Sequence, residues 1–205
     1  MVWWYLMKNK FLCLILFLCM VPLCTFALEV PELTGPVVDM AGVLSGTEFN
    51  EITDFLLNLD STTSIQIAVL IIPSLNGESL EEYSWNVAET WQLGDAQKDS
   101  GALLLVSIHD RKLRIEVGYG LEGTLTDMKC GYIIRDIIAP YFQNEDYGSG
   151  IMDGVKAMAA YASNDPEMIE QTEGGGTNDA LGILVCLIPL FIFFLIVFTA
   201  AKFGH

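Results

Sequence analysis

The chain has 205 residues, a hydrophobic fraction of 52% and a formal charge of −16. All 26 acidic residues lie between Glu29 and Asp179, and that span holds only 10 − 3 = 7 basic ones, a formal charge of 7 − 26 = −19. So acidic a span lacks the basic footprint that nucleic-acid binding requires. It leaves a cation or a basic partner as a fitting ligand, or simple solubility as the purpose of the charge.

The chain opens with Lys8 and Lys10, then an apolar run from Phe11 to Cys24, then Thr25-Phe26-Ala27. A basic start, a short apolar stretch and a small-x-small ending describe a signal peptide over 1–27. An uncleaved anchor and a lipoprotein signal cut before Cys24 are the alternatives. Cys13, Cys19 and Cys24 fall in this segment and Cys186 in the C-terminal one. Only Cys130 belongs to the domain between, so no disulfide framework is expected, and a buried thiol is the reading.

The domain spans 29–162. Ser45 and Glu48 form a capping box, and Phe49, Ile52, Phe55, Leu56 and Leu59 recur at helical spacing, predicting a helix over 46–60. Ile65 to Ile72 is a nearly unbroken apolar run rich in β-branched residues, ended by Pro73, and reads as a strand buried on both faces;. A second box, Ser79 with Glu82, opens a helix carrying Tyr83, Val87 and Trp91, ended by Gly94.

Ala102 to Ile108 reads as another buried strand. Asp110-Arg111-Lys112 turns it into the alternating strand Leu113–Val117, with Arg114 and Glu116 on one half-exposed face, a hairpin. The glycine-rich loop Gly118–Gly123 is expected to use positive φ. A helix should start near Thr126 or Asp127 and run to Ala139, stopped by Pro140. Another should cover about 147–161. The expected fold is α/β: a mixed β-sheet covered by helices.

Residues 163–179, rich in Gly, Thr, Asn and Glu, read as a flexible acidic stalk. Ala180 to Ala201 carries no charge, and about 20 residues of helix span a bilayer core;. That predicts one C-terminal transmembrane helix over 180–201, kinked at Pro189. Lys202 then puts 202–205 on the cytoplasmic side and the domain on the extracytoplasmic side of a cell membrane.

Several pieces at this spacing resemble the TPM domain family. They are Val38-Asp39 with Leu44; Asp99-Ser100-Gly101 entering the Leu103–Val106 strand; Arg114-Ile115-Glu116-Val117-Gly118-Tyr119-Gly120-Leu121-Glu122-Gly123; and Leu125-Thr126-Asp127. The resemblance covers roughly 37–162, and Arg114 to Asp127 is its most specific part. Members of that family include bacterial membrane proteins, thylakoid-lumen proteins linked to photosystem II repair, and a nematode auxiliary protein of acetylcholine receptors. The resemblance implies a TPM-type α/β sandwich and two activities reported for some members, acid phosphatase and Ca²⁺ binding.

The residues themselves offer Asp39, Asp99, Glu122 and Asp127 as metal ligands. Each sits at an element boundary or in the glycine-rich loop, and Ca²⁺ takes six to eight oxygens. Turn and cap roles compete: an Asx-turn for Asp39, turn amides before Gly101 for Asp99, a helix cap for Asp127. Asp127 with Asp39 or Asp99 is the candidate catalytic set for phosphomonoester hydrolysis. Arg114 suits pairing with Glu116 better than phosphate, and His109 suits a surface turn. With no nucleophile elbow or Cys–His pair, the expected role is non-enzymatic. It is an acidic module, with Ca²⁺ as the only cofactor considered, supporting a membrane or envelope protein complex.

Overall fold

A computed structural model describes residues 28–94 and 99–174. The expected signal peptide and transmembrane helix lie outside the described residues. Among those described, no helix is long and apolar enough to cross a membrane.

The core starts from two seven-residue strands with almost no polar side chains. In β2 (Gln66–Ile72) and β3 (Gly101–Ser107), only Gln66 is more than marginally exposed. A strand buried on both faces needs cover on both, so the layers follow from these two segments. Ile67, Val69, Ile71, Leu104 and Val106 face one apolar cluster, whereas Ala68, Leu70, Ile72, Leu103 and Leu105 face the other.

The sheet has the order β1-β2-β3-β4, with β1 (Val37–Asp39) parallel to β2 and β2 parallel to β3. β4 (Lys112–Val117) runs antiparallel to β3, so the sheet is mixed, as expected. β1 has no counterpart in the sequence reading: three residues, Val-Val-Asp, are too few for a period to register;.

Helix α1 (Gly46–Thr63) starts at the Ser45–Glu48 box, with both halves present, and covers the first face through Ile52, Leu56 and Leu59. Helix α2 (Leu80–Trp91) covers the other face through Tyr83, Val87 and Trp91. At its start the Ser79 hydroxyl accepts from the Glu82 amide, the first half of the box, and donates to the Glu81 carboxylate. The helix ends at Gln92 in the left-handed conformation, two residues before Gly94. The two β-α-β crossovers step the same way across the sheet yet leave it on opposite faces. They therefore have opposite hands, and one departs from the right-handed rule.

The N-terminal segment completes the α2 layer. Leu28, Val30 and Leu33 pack into that cluster, Tyr83 Oη lies 3.3 Å from the Glu29 carbonyl, and Trp91 Nε1 donates to the Pro31 carbonyl at 2.8 Å. The first face receives all the remaining helices. Helix α3 (Asp127–Tyr132) continues through a π-helical stretch, Ile133–Ile138, into α4 (Ala139–Phe142). Pro140 was expected to stop this helix, but the helix runs past it. Proline lacks the N–H of an ordinary i→i−4 bond, and the Ala139 N–H already reaches back five residues to Ile134;.

Helix α5 (Tyr147–Ser163) matches its expected span and buries Ile151, Val155 and Met158. The stalk expected from 163 begins instead with a helix, α6 (Pro166–Gly174), whose Met168 and Ile169 pack on the first cluster. Asp165 caps it through the Glu167 amide at 3.0 Å. A short polar helix with one apolar pair is easily mistaken for linker.

Leu104 is fully buried at the sheet centre, whereas Leu57 on α1 is 53% exposed. Denaturant unfolding should show Leu104→Ala costing about 2–5 kcal/mol. Leu57→Ala should stay within about 0.5 kcal/mol.

Candidate functional site

The four carboxylates proposed from sequence do not meet. Asp39 ends β1 beside Ile71, at the C-terminal end of the parallel strands. Asp99 precedes β3, whose first residue pairs with Gln66 at the opposite end. A strand of this length separates them by about 20 Å. Glu122 and Asp127 follow β4 on the Asp99 side, both exposed.

Each aspartate has its own local task. The Asp39 carboxylate accepts from the amides of Ala41, Gly42 and Leu44 at 3.0, 2.7 and 3.0 Å, closing the Asx-type turn into α1. Asp99 has φ +50°, and its side chain accepts from Tyr119 N at 2.9 Å. Its carbonyl accepts from Gly120 N at 3.0 Å. Asp99 thus fixes the start of the glycine-rich loop. Asp127 is not the cap of α3; that position belongs to Thr126, and Asp127 lies in the first turn.

Gly118, Gly120 and Gly123 do not use the expected positive φ. Gly118 serves close approach instead: a Cβ there would sit 2.5 Å from the Asp99 carbonyl oxygen. The chain then makes one 3₁₀ turn, Tyr119–Leu121, which seats Leu121 in the core.

Among the described residues, no three His, Cys, Asp or Glu side chains come together as a metal ion requires. Ca²⁺ needs converging oxygens, and Asp39 spends its own on three amides at the wrong end of the sheet. Asp39 therefore does not join Asp99, Glu122 and Asp127 in one set.

What the structure does assemble lies on the exposed face of β4 against α2. Arg114 is ion-paired with Glu116, the pairing favoured from sequence. The fully buried Ser84 hydroxyl donates to Glu116 Oε1 at 2.6 Å and lies 3.1 Å from the Glu81 carbonyl. The bond that Arg114 donates to Glu116 strengthens the hold of Arg114 on its proton, and the charges of Glu81 and Asp127 add to this. Glu81 is held below the usual carboxylate range by its own backbone and the Ser79 hydroxyl, with Arg114 contributing.

Glu81, Glu82, Trp85, Asn86, Arg114 and Glu116 line an open groove of about 520 Å³. A cleft bordered by Trp85, Glu89, Glu116 and Tyr119 continues it. Trp85 is 58% exposed and Tyr119 80%. The sequence reading missed Ser84 and Trp85. Their signal was present: Trp85 falls off the Tyr83, Val87, Trp91 stripe and so faces water.

Cys130 is buried, as expected, and burial first, then the charge of Asp127, pushes its thiol up to about 11. His109 is exposed in the hairpin turn. The neighbouring Asp110 ties that turn to the segment after β2, accepting from Ser107 Oγ and Leu75 N, both at 2.6 Å.

A family model described as the TPM domain matches residues 37–161. The N-terminal domain of a P. gingivalis protein, solved in solution, is 31% identical with TM-score 0.62, covering 67% of this chain and 91% of its own. The N-terminal domain of a Corynebacterium glutamicum protein shares the fold at 14% identity and TM-score 0.50, covering 71% and 90%. BA42 from Bizionia argentinensis does so at 17% and 0.53, covering 62% and 86%. No curated protein matches the chain.

Three outcomes check this site. Asp39→Ala should lower stability by about 1–3 kcal/mol, because three amides lose their acceptor. Glu122→Ala should change it by less than about 0.5 kcal/mol. Peptide mapping after iodoacetamide at pH 8 should find Cys130 unmodified in the folded chain and modified in urea, since the thiolate is the reactive form.

Proposed function

The chain belongs to the TPM domain family, and from that premise we propose that it is a non-enzymatic docking module. It is held on the extracytoplasmic side of a cell membrane, where it supports a partner membrane or envelope protein. The signal pattern over 1–27 and the uncharged run over 180–201 support the placement. The observation that carries the docking role is the groove between α2 and β4. There Trp85 and Tyr119 remain exposed beside an excess of carboxylates. Exposed aromatic side chains at a groove are common anchors for partners.

The alternative, phosphomonoester hydrolysis, paired Asp127 with Asp39 or Asp99. Asp39 sits at the far end of the sheet, and the nearby Arg114 is already paired with Glu116. Of the cations on this face, Arg114 is taken up by Glu116, and Lys112 lies among the carboxylates, its charge acting on Glu81. Turnover of an aryl phosphate at acidic pH, lost in Asp127→Asn, would nevertheless establish hydrolysis and replace the docking role.

The test uses gently solubilised membranes. The full chain should migrate as an assembly larger than itself. The double variant Trp85→Ala/Tyr119→Ala should migrate as the isolated chain with its melting temperature unchanged, while Leu57→Ala keeps the assembly. An assembly that survives the double variant would remove the groove from the reading. Added millimolar Ca²⁺ should leave the melting temperature unchanged.

A further inference from the structure

We propose that the open edge of β4 accepts an extended, lysine- or arginine-bearing segment of the partner as a fifth strand. This rests on the docking reading above and adds to it the chemistry and conformation of what is docked.

The edge is defined by the register. Gly118 N bonds the Gly101 carbonyl at 2.8 Å, and Glu116 and Arg114 oppose Leu103 and Leu105. Antiparallel ladders alternate, so Gly118, Glu116, Arg114 and Lys112 point their backbone groups at β3. Leu113, Ile115 and Val117 therefore point theirs away from the sheet. Among the described residues nothing bonds those outward groups. The other edge, β1, is only three residues long. An unpaired row of amides and carbonyls is a template for an added strand.

The charge beside this edge selects the strand. Glu82, Trp85 and Glu89 are spaced i, i+3, i+7 along α2, all exposed. With Glu81 and Glu116 they make four carboxylates along the groove. Two cations face them, Arg114, already engaged by Glu116, and Lys112 at the start of β4, so the carboxylates remain in excess. An added strand alternates its side chains between the two faces of the sheet. Those on the Arg114 and Glu116 face reach the carboxylates and the exposed Trp85 ring, a place for cations. Those on the other face lie beside the half-buried Leu113 and Val117, a place for apolar side chains, while Ile115 itself is buried in the first cluster. A second copy of this chain would bring the same carboxylates into the groove, so edge-to-edge self-pairing is opposed by repulsion.

The probe is a capped peptide alternating Lys and Val, added to the full chain, with an alternating Glu and Val peptide as control. Amide exchange, read residue by residue, should slow at Leu113, Ile115 and Val117. It should stay the same at Arg114 and Glu116, whose amides β3 already protects. The Lys/Val peptide should bind at least about tenfold more tightly than the Glu/Val peptide, and added salt should narrow the gap. Glu82→Lys/Glu89→Lys, on the exposed face of α2, should abolish that preference without unfolding the chain. Leu113→Pro, which removes one outward N–H, should weaken binding. Binding of the Lys/Val peptide with no slowing on β4 would overturn strand addition. Equal binding of both peptides would overturn the basic selectivity. In either case the docking reading stands or falls separately, on the assembly test with Trp85→Ala/Tyr119→Ala.

Discussion

Everything in this domain depends on β3 having no exposed face. Its seven residues are all buried, it pairs parallel with β2 on one side and antiparallel with β4 on the other, and both of its faces are covered. Burying such a strand stabilises by roughly 1.5–3 kcal/mol per large apolar side chain. It also forces the chain to supply a helical layer above and below. Helix α1 with α3 to α6 makes one layer, and α2 with the N-terminal segment makes the other.

The two layers are unequal, and function follows from the inequality. Among the described residues, five helices crowd the first face. The second has one helix and a strip of extended chain, which cover β2 and β3 but leave β4 partly open. A polar network fills that margin: Arg114, Glu116 and the buried Ser84 hydroxyl. The pair satisfies itself within the groove, so it fixes the groove wall and leaves the surrounding carboxylates to set the field. The Asp99 turn anchors the loop that carries Tyr119 to the end of this groove. Asp99 thus shapes the site without touching a ligand.

Much of this was legible in the residues. The Ser45–Glu48 box, the two apolar strands and the Asp110-Arg111-Lys112 turn depend on local chemistry, and each formed where its pattern stood. The mixed sheet followed from the hairpin. The resemblance carried by Arg114 to Asp127 led to the family over residues 37–161. What escaped were features decided by distant partners. β1 is a strand only because β2 lies beside it. Pro140 is tolerated because the helix before it widens to a π turn. α6 holds through two side chains, Met168 and Ile169, docked on a core that local composition cannot reveal. The separation of the two aspartates has the same reason. Asp39 and Asp99 have equivalent places in the sequence, each at an element boundary, but the parallel register sends them to opposite ends of the sheet.

The central claim is that the margin between α2 and β4 meets a partner. The most direct measurement places a photo-reactive side chain at position 85 in the full chain and irradiates intact membranes, with position 57 on the opposite layer as reference. A discrete adduct from position 85, absent from position 57, is the expected result. Its crosslinked peptide should be rich in Lys or Arg. Adducts of equal yield from both positions, or none from position 85, would contradict the account.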